Sequence, residues 1–99
     1  MPIRDAELII PPIAGSDPDS FEILRVWDAE QEQHVTIRSN LNGGANEFGY
    51  MLGQLTYHGA NLYAERDGIS PEEALTLILG RFQEEISANT GNPSGQIPD

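Results

Sequence analysis

The sequence has no cysteine and no lysine. The first absence excludes a disulfide framework, a zinc–thiolate site and a cysteine nucleophile. The second excludes a lysine Schiff base. Only five basic residues, all Arg, stand against 16 Asp and Glu, and the formal net charge is -11. Five scattered arginines build no basic patch, which argues against a phosphate-backbone partner. Long apolar runs are also absent. The longest are Leu8-Ile9-Ile10, Ala74-Leu75 and Leu77-Ile78-Leu79, far short of the ~18 residues that suggest a membrane span. The start, Met1-Pro2-Ile3-Arg4-Asp5-Ala6-Glu7, carries charges where a secretory signal needs a basic segment followed by an apolar one. The expectation is a cytoplasmic protein with neither nucleic acid nor membrane as partner.

What is present suits one small domain. A chain of 99 residues with 38% hydrophobic content supports one thin core. The acidity reads first as a solvated surface kept dispersed by charge. An acidic inhibitor or nucleic-acid mimic is the sharper alternative. It needs carboxylates massed on one face, and only Glu72-Glu73 and Glu84-Glu85 are adjacent here.

The N-terminal third reads as extended chain. Leu8-Ile9-Ile10 is a candidate edge strand stopped by Pro11-Pro12. Residues 11–20 are turn chemistry and read as a mobile linker. A strand follows over Phe21 to Asp28, a polar reversal over Glu30 to Gln33, and a second strand over His34 to Ser39. The second strand alternates cleanly, with Val35 and Ile37 predicted inward. Together they form a β-hairpin. Asn40 to Asn46 is a loop without the full glycine pattern or the Lys-Ser/Thr of a phosphate cradle. Asn46 is its candidate N-cap.

The period then becomes helical. Phe48, Leu52, Leu55, Gly59, Leu62 and Tyr63 share one face of a helix over Glu47 to Arg66. Gly68 is placed to end it. Ser70, Pro71 and Glu73 supply an N-cap, a first-turn proline and the third member of a capping box. Leu75, Ile78, Leu79, Phe82 and Ile86 are expected to form the buried stripe of this second helix, which the short connection makes an antiparallel neighbour of the first. Residues 1–88 are expected to form the domain and 89–99, rich in breakers, a disordered tail.

Two further stripes lie on the first helix at 100° steps. Glu47, Gln54, His58, Asn61 and Glu65 make a polar one. Gln54 and Asn61 are spaced to orient the His58 imidazole, so Gln54, His58 and Asn61, with Tyr57 nearby, are the candidate ligand-binding residues. A solvated helix face is the plainer reading. One His makes no metal site, His34 is predicted to point outward from a strand, and no metal, cofactor or catalytic residue is expected. The other stripe is Gly49, Gly53, Thr56 and Ala60. Glycine inside a helix costs up to ~1 kcal/mol against alanine, which suggests close approach of another element. The second helix of the same chain is the first choice for that element, and a second copy in a homodimer is the other. Gly49, Gly53 and Ala60, with the outlying Leu77, are therefore the candidate interface. Arg25 and Trp27 share a strand face, where Trp27 reads as a core anchor and a cation–π contact as the alternative. No serine stands in a Gly-x-Ser-x-Gly setting.

The run Glu22-Ile23-Leu24-Arg25-Val26-Trp27 with its second strand, and Phe48-Gly49, Leu52, His58, Ala60, Asn61 and Tyr63 on the helix, resemble a small uncharacterised bacterial family, a domain of unknown function. The resemblance covers roughly residues 6–88. It implies a fold and no activity. The family pattern has an Arg before the His and an Asp four before it; Tyr57 and Gln54 stand there in this chain, which weakens a proton-transfer role for His58.

The combined expectation is an α+β fold in β-β-α-α order. A hairpin, with Leu8-Ile9-Ile10 as a candidate third strand, packs against an antiparallel helix pair. The leading functional reading is a non-enzymatic accessory or interaction domain with an unknown protein partner or a second copy of itself. A small-molecule binder or minor enzyme using the His58 stripe comes second.

Overall fold

The computed structural model describes residues 6–90, with the side chain of Thr90 outside that description. The elements are α1 (Pro12–Ser16), β1 (Leu24–Ala29), β2 (Glu32–Ile37), α2 (Gly44–Asp67) and α3 (Pro71–Thr90). The fold is α+β, with the hairpin followed by the two long helices. By contact the chain divides into two compact units, with the boundary between Leu41 and Asn42.

In the first unit the candidate third strand does not form. Leu8, Ile9 and Ile10 are exposed and belong to no strand. The cause is the Pro11-Pro12 pair. Pro11 sits extended at ψ 138°, as a residue before proline must, and Pro12 opens a helical turn at the position where its missing N–H costs nothing. That turn is tied down locally. The Asp17 N–H donates to Ile13 O at 3.1 Å. The Ser20 hydroxyl lies 2.7 Å from both Ala14 O and Asp17 O. Asp17 Oδ1 accepts from the Asp19 N–H at 2.9 Å, an Asx turn. Residues 11–20, read from the sequence as a mobile linker, contain α1 and a hydrogen-bonded turn.

β1 and β2 are antiparallel and pair Leu24 with Ile37, Val26 with Val35, and Trp27 with His34. The reversal is tighter than the sequence suggested. It spans Glu30 and Gln31 alone, both with positive φ (53° and 65°), the mirror-image geometry that matches strand twist. β2 therefore begins at Glu32 rather than His34. Neither turn residue is Gly or Asn, so nothing in their chemistry marked the turn. Val26, Val35 and Ile37 share one face and remain about half exposed. The expectation that Val35 and Ile37 are buried is not met.

In the second unit α2 begins earlier than expected. Gly43 (φ 91°) is its N-cap and makes no side-chain cap bond. Asn46 lies inside the helix. Gly68 closes α2 at φ 70°, donating its N–H to Ala64 O, a conformation that glycine adopts without strain. Ser70 Oγ accepts from the Glu73 N–H at 3.0 Å, as the capping motif requires. Glu72 and Glu73 add negative charge where the helix dipole favours it. α3 then runs to Thr90, past the expected end near 88. The rest of the expected tail, 91–99, lies outside the described residues.

The helices meet through alanine. Ala60 and Ala74 are each 2% exposed and Ala64 is 5% exposed; Ile69, Leu75 and Ile78 pack around them. At 100° per residue Ala60 and Ala64 lie roughly 145° around α2 from the centre of its Phe48–Leu52–Leu55–Leu62 stripe. The face of α2 turned to α3 is thus the small-residue one, and the large apolar stripe points elsewhere. Leu55, Leu62 and Tyr63 on that stripe are exposed. Of the α3 stripe expected to be buried, Leu75 and Ile78 pack on the alanine contact, while Leu79, Phe82 and Ile86 lie beyond it and are exposed.

Candidate functional site

Gln54, His58 and Asn61 do share one face of α2, as the helical period requires, and all three are exposed. Tyr50 and Tyr57 flank them and are exposed as well. The spacing does not become a hydrogen-bonded constellation. The Gln54 amide donates to the Tyr50 hydroxyl at 3.1 Å and is directed along the helix to the residue four before it, not to His58. No hydrogen bond joins His58 to Gln54 or Asn61 among the described residues.

The candidate interface residues separate. Ala60 is buried between α2 and α3, so it serves the contact within the chain. Gly49 and Gly53 are exposed, and a Cβ added at either would meet nothing within 4 Å. Leu77 is exposed on α3, away from the side that Ile78 and Ala74 turn to α2.

Sequence reading missed a small arginine-bearing site at the open end of the hairpin. There Glu22, Ile23, Leu24, Arg25, Thr36, Ile37 and Arg38 line an open depression of about 220 Å³. Arg25 bridges two carboxylates, Glu7 at 3.0 Å and Glu22 at 3.2 Å. The hydrogen bond to Glu22, then the charge of Glu22 and the bond to Glu7, hold its guanidinium above the ordinary arginine value. Arg38 donates from Nε to Glu22 O at 2.8 Å, and its guanidinium carbon lies 4.8 Å from the centre of the Phe21 ring. The stacking partner is thus Phe21 with Arg38. Trp27, read from the sequence as a core anchor with a contact to Arg25 as the alternative, is half-buried and stands across the ladder from His34. Phe21 precedes β1, where strand alternation gives no signal for which arginine will cover it.

The remaining described arginines are local. Arg66 pairs with Asp67 at 3.3 Å and lies 5.3 Å from the Tyr63 ring centre. Arg81 reaches Glu85 at 3.2 Å and Glu84 at 3.8 Å. Exposed pairs of this kind contribute about 0–1 kcal/mol each. They leave no concentrated positive field for an anionic polymer. Among the described residues no group of three His, Asp or Glu side chains is placed to hold a metal ion. No helix among them is long and apolar enough to cross a membrane.

These features now stand beside known proteins. The model of the family described as Domain of unknown function (DUF5076) matches residues 7–90. The chain belongs to that family. No curated protein matches it. Among solved structures it is similar to one described as "a putative pyruvate dehydrogenase" from the photosynthetic bacterium Rhodopseudomonas palustrus CGA009. That likeness has 21% identity and a TM-score of 0.70, and covers 95% of this chain and 91% of the other. At that identity it carries the fold and nothing about chemistry.

Proposed function

We propose that the chain is a small acidic accessory domain that works by binding protein through its surface and performs no chemistry of its own. One observation carries this reading. α3 holds Leu79, Phe82 and Ile86 on one side, and these are 49%, 50% and 44% exposed, beside a contact with α2 made of alanines. Scattered single apolar residues on a surface need no explanation. A row at i, i+3 and i+7 is different, because it is the pattern that a helix uses to dock in a groove or against other helices. The open, unlinked arrangement around His58 supports the same reading, since a binder of small molecules uses a concave site with convergent polar groups.

The test is co-purification with the whole chain as bait, beside a Phe82→Arg variant with an unchanged circular dichroism spectrum. A partner held by the native chain and lost with Phe82→Arg is expected. A small molecule retained by the native chain and lost with His58→Ala would overturn the reading in favour of a ligand site on α2.

A further inference from the structure

The edge of β2 carries a second interaction surface, and its partner is legible from hydrogen-bond direction and charge. The Arg38 N–H donates inward to Ile23 O at 2.9 Å. Backbone direction alternates along a strand, so Glu32, His34, Thr36 and Arg38 turn their N–H and C=O groups toward β1. Gln33, Val35 and Ile37 turn theirs outward, to an edge that no strand among the described residues covers in the two-stranded sheet. Every residue of β2 is exposed. A two-stranded hairpin by itself is marginal in water, and an open edge is a template for another strand.

The geometry points to a second copy of this chain as that strand, with β2 pairing antiparallel to the partner's β2 about a two-fold axis at Val35. In this register Val35 meets the partner's Val35, and Gln33 meets the partner's Ile37. These are the outward-turned residues, so each opposed pair exchanges both backbone bonds. His34 and Thr36 oppose each other in the intervening pairs, where side chains come closest. The same alternation brings Glu32 opposite the partner's Arg38, and Arg38 opposite the partner's Glu32. These are the only charged residues from 32 to 38, apart from any charge on His34, so the segment is neutral in a chain of net charge -11. It can meet its own copy without opposing like charges. A slip of two residues either way separates Glu32 from Arg38 and shortens the ladder. The register also joins the half-exposed apolar faces, because Val26 pairs with Val35 on the same side. The sheet becomes four-stranded, with a valine row across its middle. The contact is isologous, and a two-fold closes it. This surface is separate from the α3 row and stands whatever covers that row.

Sedimentation equilibrium of the full chain tests it with three variants. Val35→Pro removes an outward N–H and no bond within the hairpin, a position where an edge strand accepts proline. Glu32→Arg sets like charges opposite Arg38 at both ends of the contact. Glu32→Arg combined with Arg38→Glu restores opposite charges. The expected result is a dimer for the native chain and a monomer for Val35→Pro. Glu32→Arg should weaken dimerisation about tenfold, and the charge swap should recover it. If Val35→Pro loses the native circular dichroism spectrum, the two charge variants decide. A native chain that stays monomeric overturns the proposal. So does a dimer indifferent to both Val35→Pro and Glu32→Arg, which would place the contact on another face.

Discussion

Ala60 of α2 and Ala74 of α3, each 2% exposed, are the centre about which the two helices pack. Their side chains are single methyl groups, so the helices meet with little bulk between them. Enlarging either one has no space to use. Ala60→Leu is expected to destabilise the chain by about 1–3 kcal/mol, the usual cost of overpacking. Thermal denaturation followed at 222 nm reads this as a lower Tm. An unchanged Tm would mean that the helices separate easily and that the alanine contact does not hold the unit together.

Gly53 gives the opposite expectation, although it lies on the same small-residue face. An added Cβ there meets nothing within 4 Å, so no close approach requires glycine. The helix-propensity cost of glycine then stands uncompensated. Gly53→Ala should stabilise α2 by about 1 kcal/mol or somewhat less, with a matching rise in Tm. If the substitution lowers Tm, Gly53 is covered by another chain in solution, and the homodimer reading of the glycine stripe gains its first support.

The contrast between these two positions shows where sequence reading stopped. Helical period placed Gly53 and Ala60 on one face and Phe48, Leu52 and Leu55 on another, and both placements stand. It made the second helix the first choice for the small face, and Ala60 packs there. It did not separate Ala60 from Gly53, which shares that face and stays open, because period fixes a direction and not a depth of contact. Punctuation carrying its own mechanism was legible: the Ser70 cap, Pro71 and Gly68 follow directly from backbone chemistry. Gly43 as N-cap and the Glu30-Gln31 turn were not, since a better residue of each kind, Asn46 or a polar run through Gln33, lay close by. At the candidate site the shared face of Gln54, His58 and Asn61 was legible. The choice of Tyr50 by the Gln54 amide was not, because spacing leaves the i−4 and i+4 neighbours equally near.

Ser70 offers a cleaner measurement. Its hydroxyl satisfies the Glu73 N–H at 3.0 Å, one of the N–H groups that a helix start leaves without a partner. Ser70→Ala removes that acceptor and should cost about 1 kcal/mol. Ser70→Asp keeps an acceptor and adds negative charge at the positive end of the helix dipole, so it should hold Tm at or above the native value. Equal melting of all three proteins would show that α3 takes no stability from its cap.

His58→Ala is expected to change stability by less than about 0.5 kcal/mol, as for a surface residue with no cap, strain or buried partner. The check is thermal denaturation beside native mass spectrometry of the variant. A large loss of stability would reveal a contact for His58 that only an assembled form provides.

The hairpin turn carries the last expectation. Glu30 and Gln31 both hold positive φ, a region that costs a residue with a Cβ roughly 1–2 kcal/mol relative to the ordinary helical one. Asn tolerates that region and Gly enters it freely, which is why Asn-Gly dominates turns of this class. Glu30→Asn with Gln31→Gly should therefore stabilise the hairpin by about 1 kcal/mol. The relief at Gly is partly offset by the extra freedom that glycine gives the unfolded chain. Neither position is an outward-facing residue of the β2 edge, so the double variant should leave strand pairing between copies intact or strengthen it by ordering β2. Hydrogen exchange at Trp27 and Val35 separates the two effects. The Trp27 N–H turns inward to His34 inside the hairpin, while the Val35 N–H points outward and gains protection only from another strand. Slower exchange along β1 alone would report a better turn. Slower exchange at Val35 as well, and only at high protein concentration, would report the second copy.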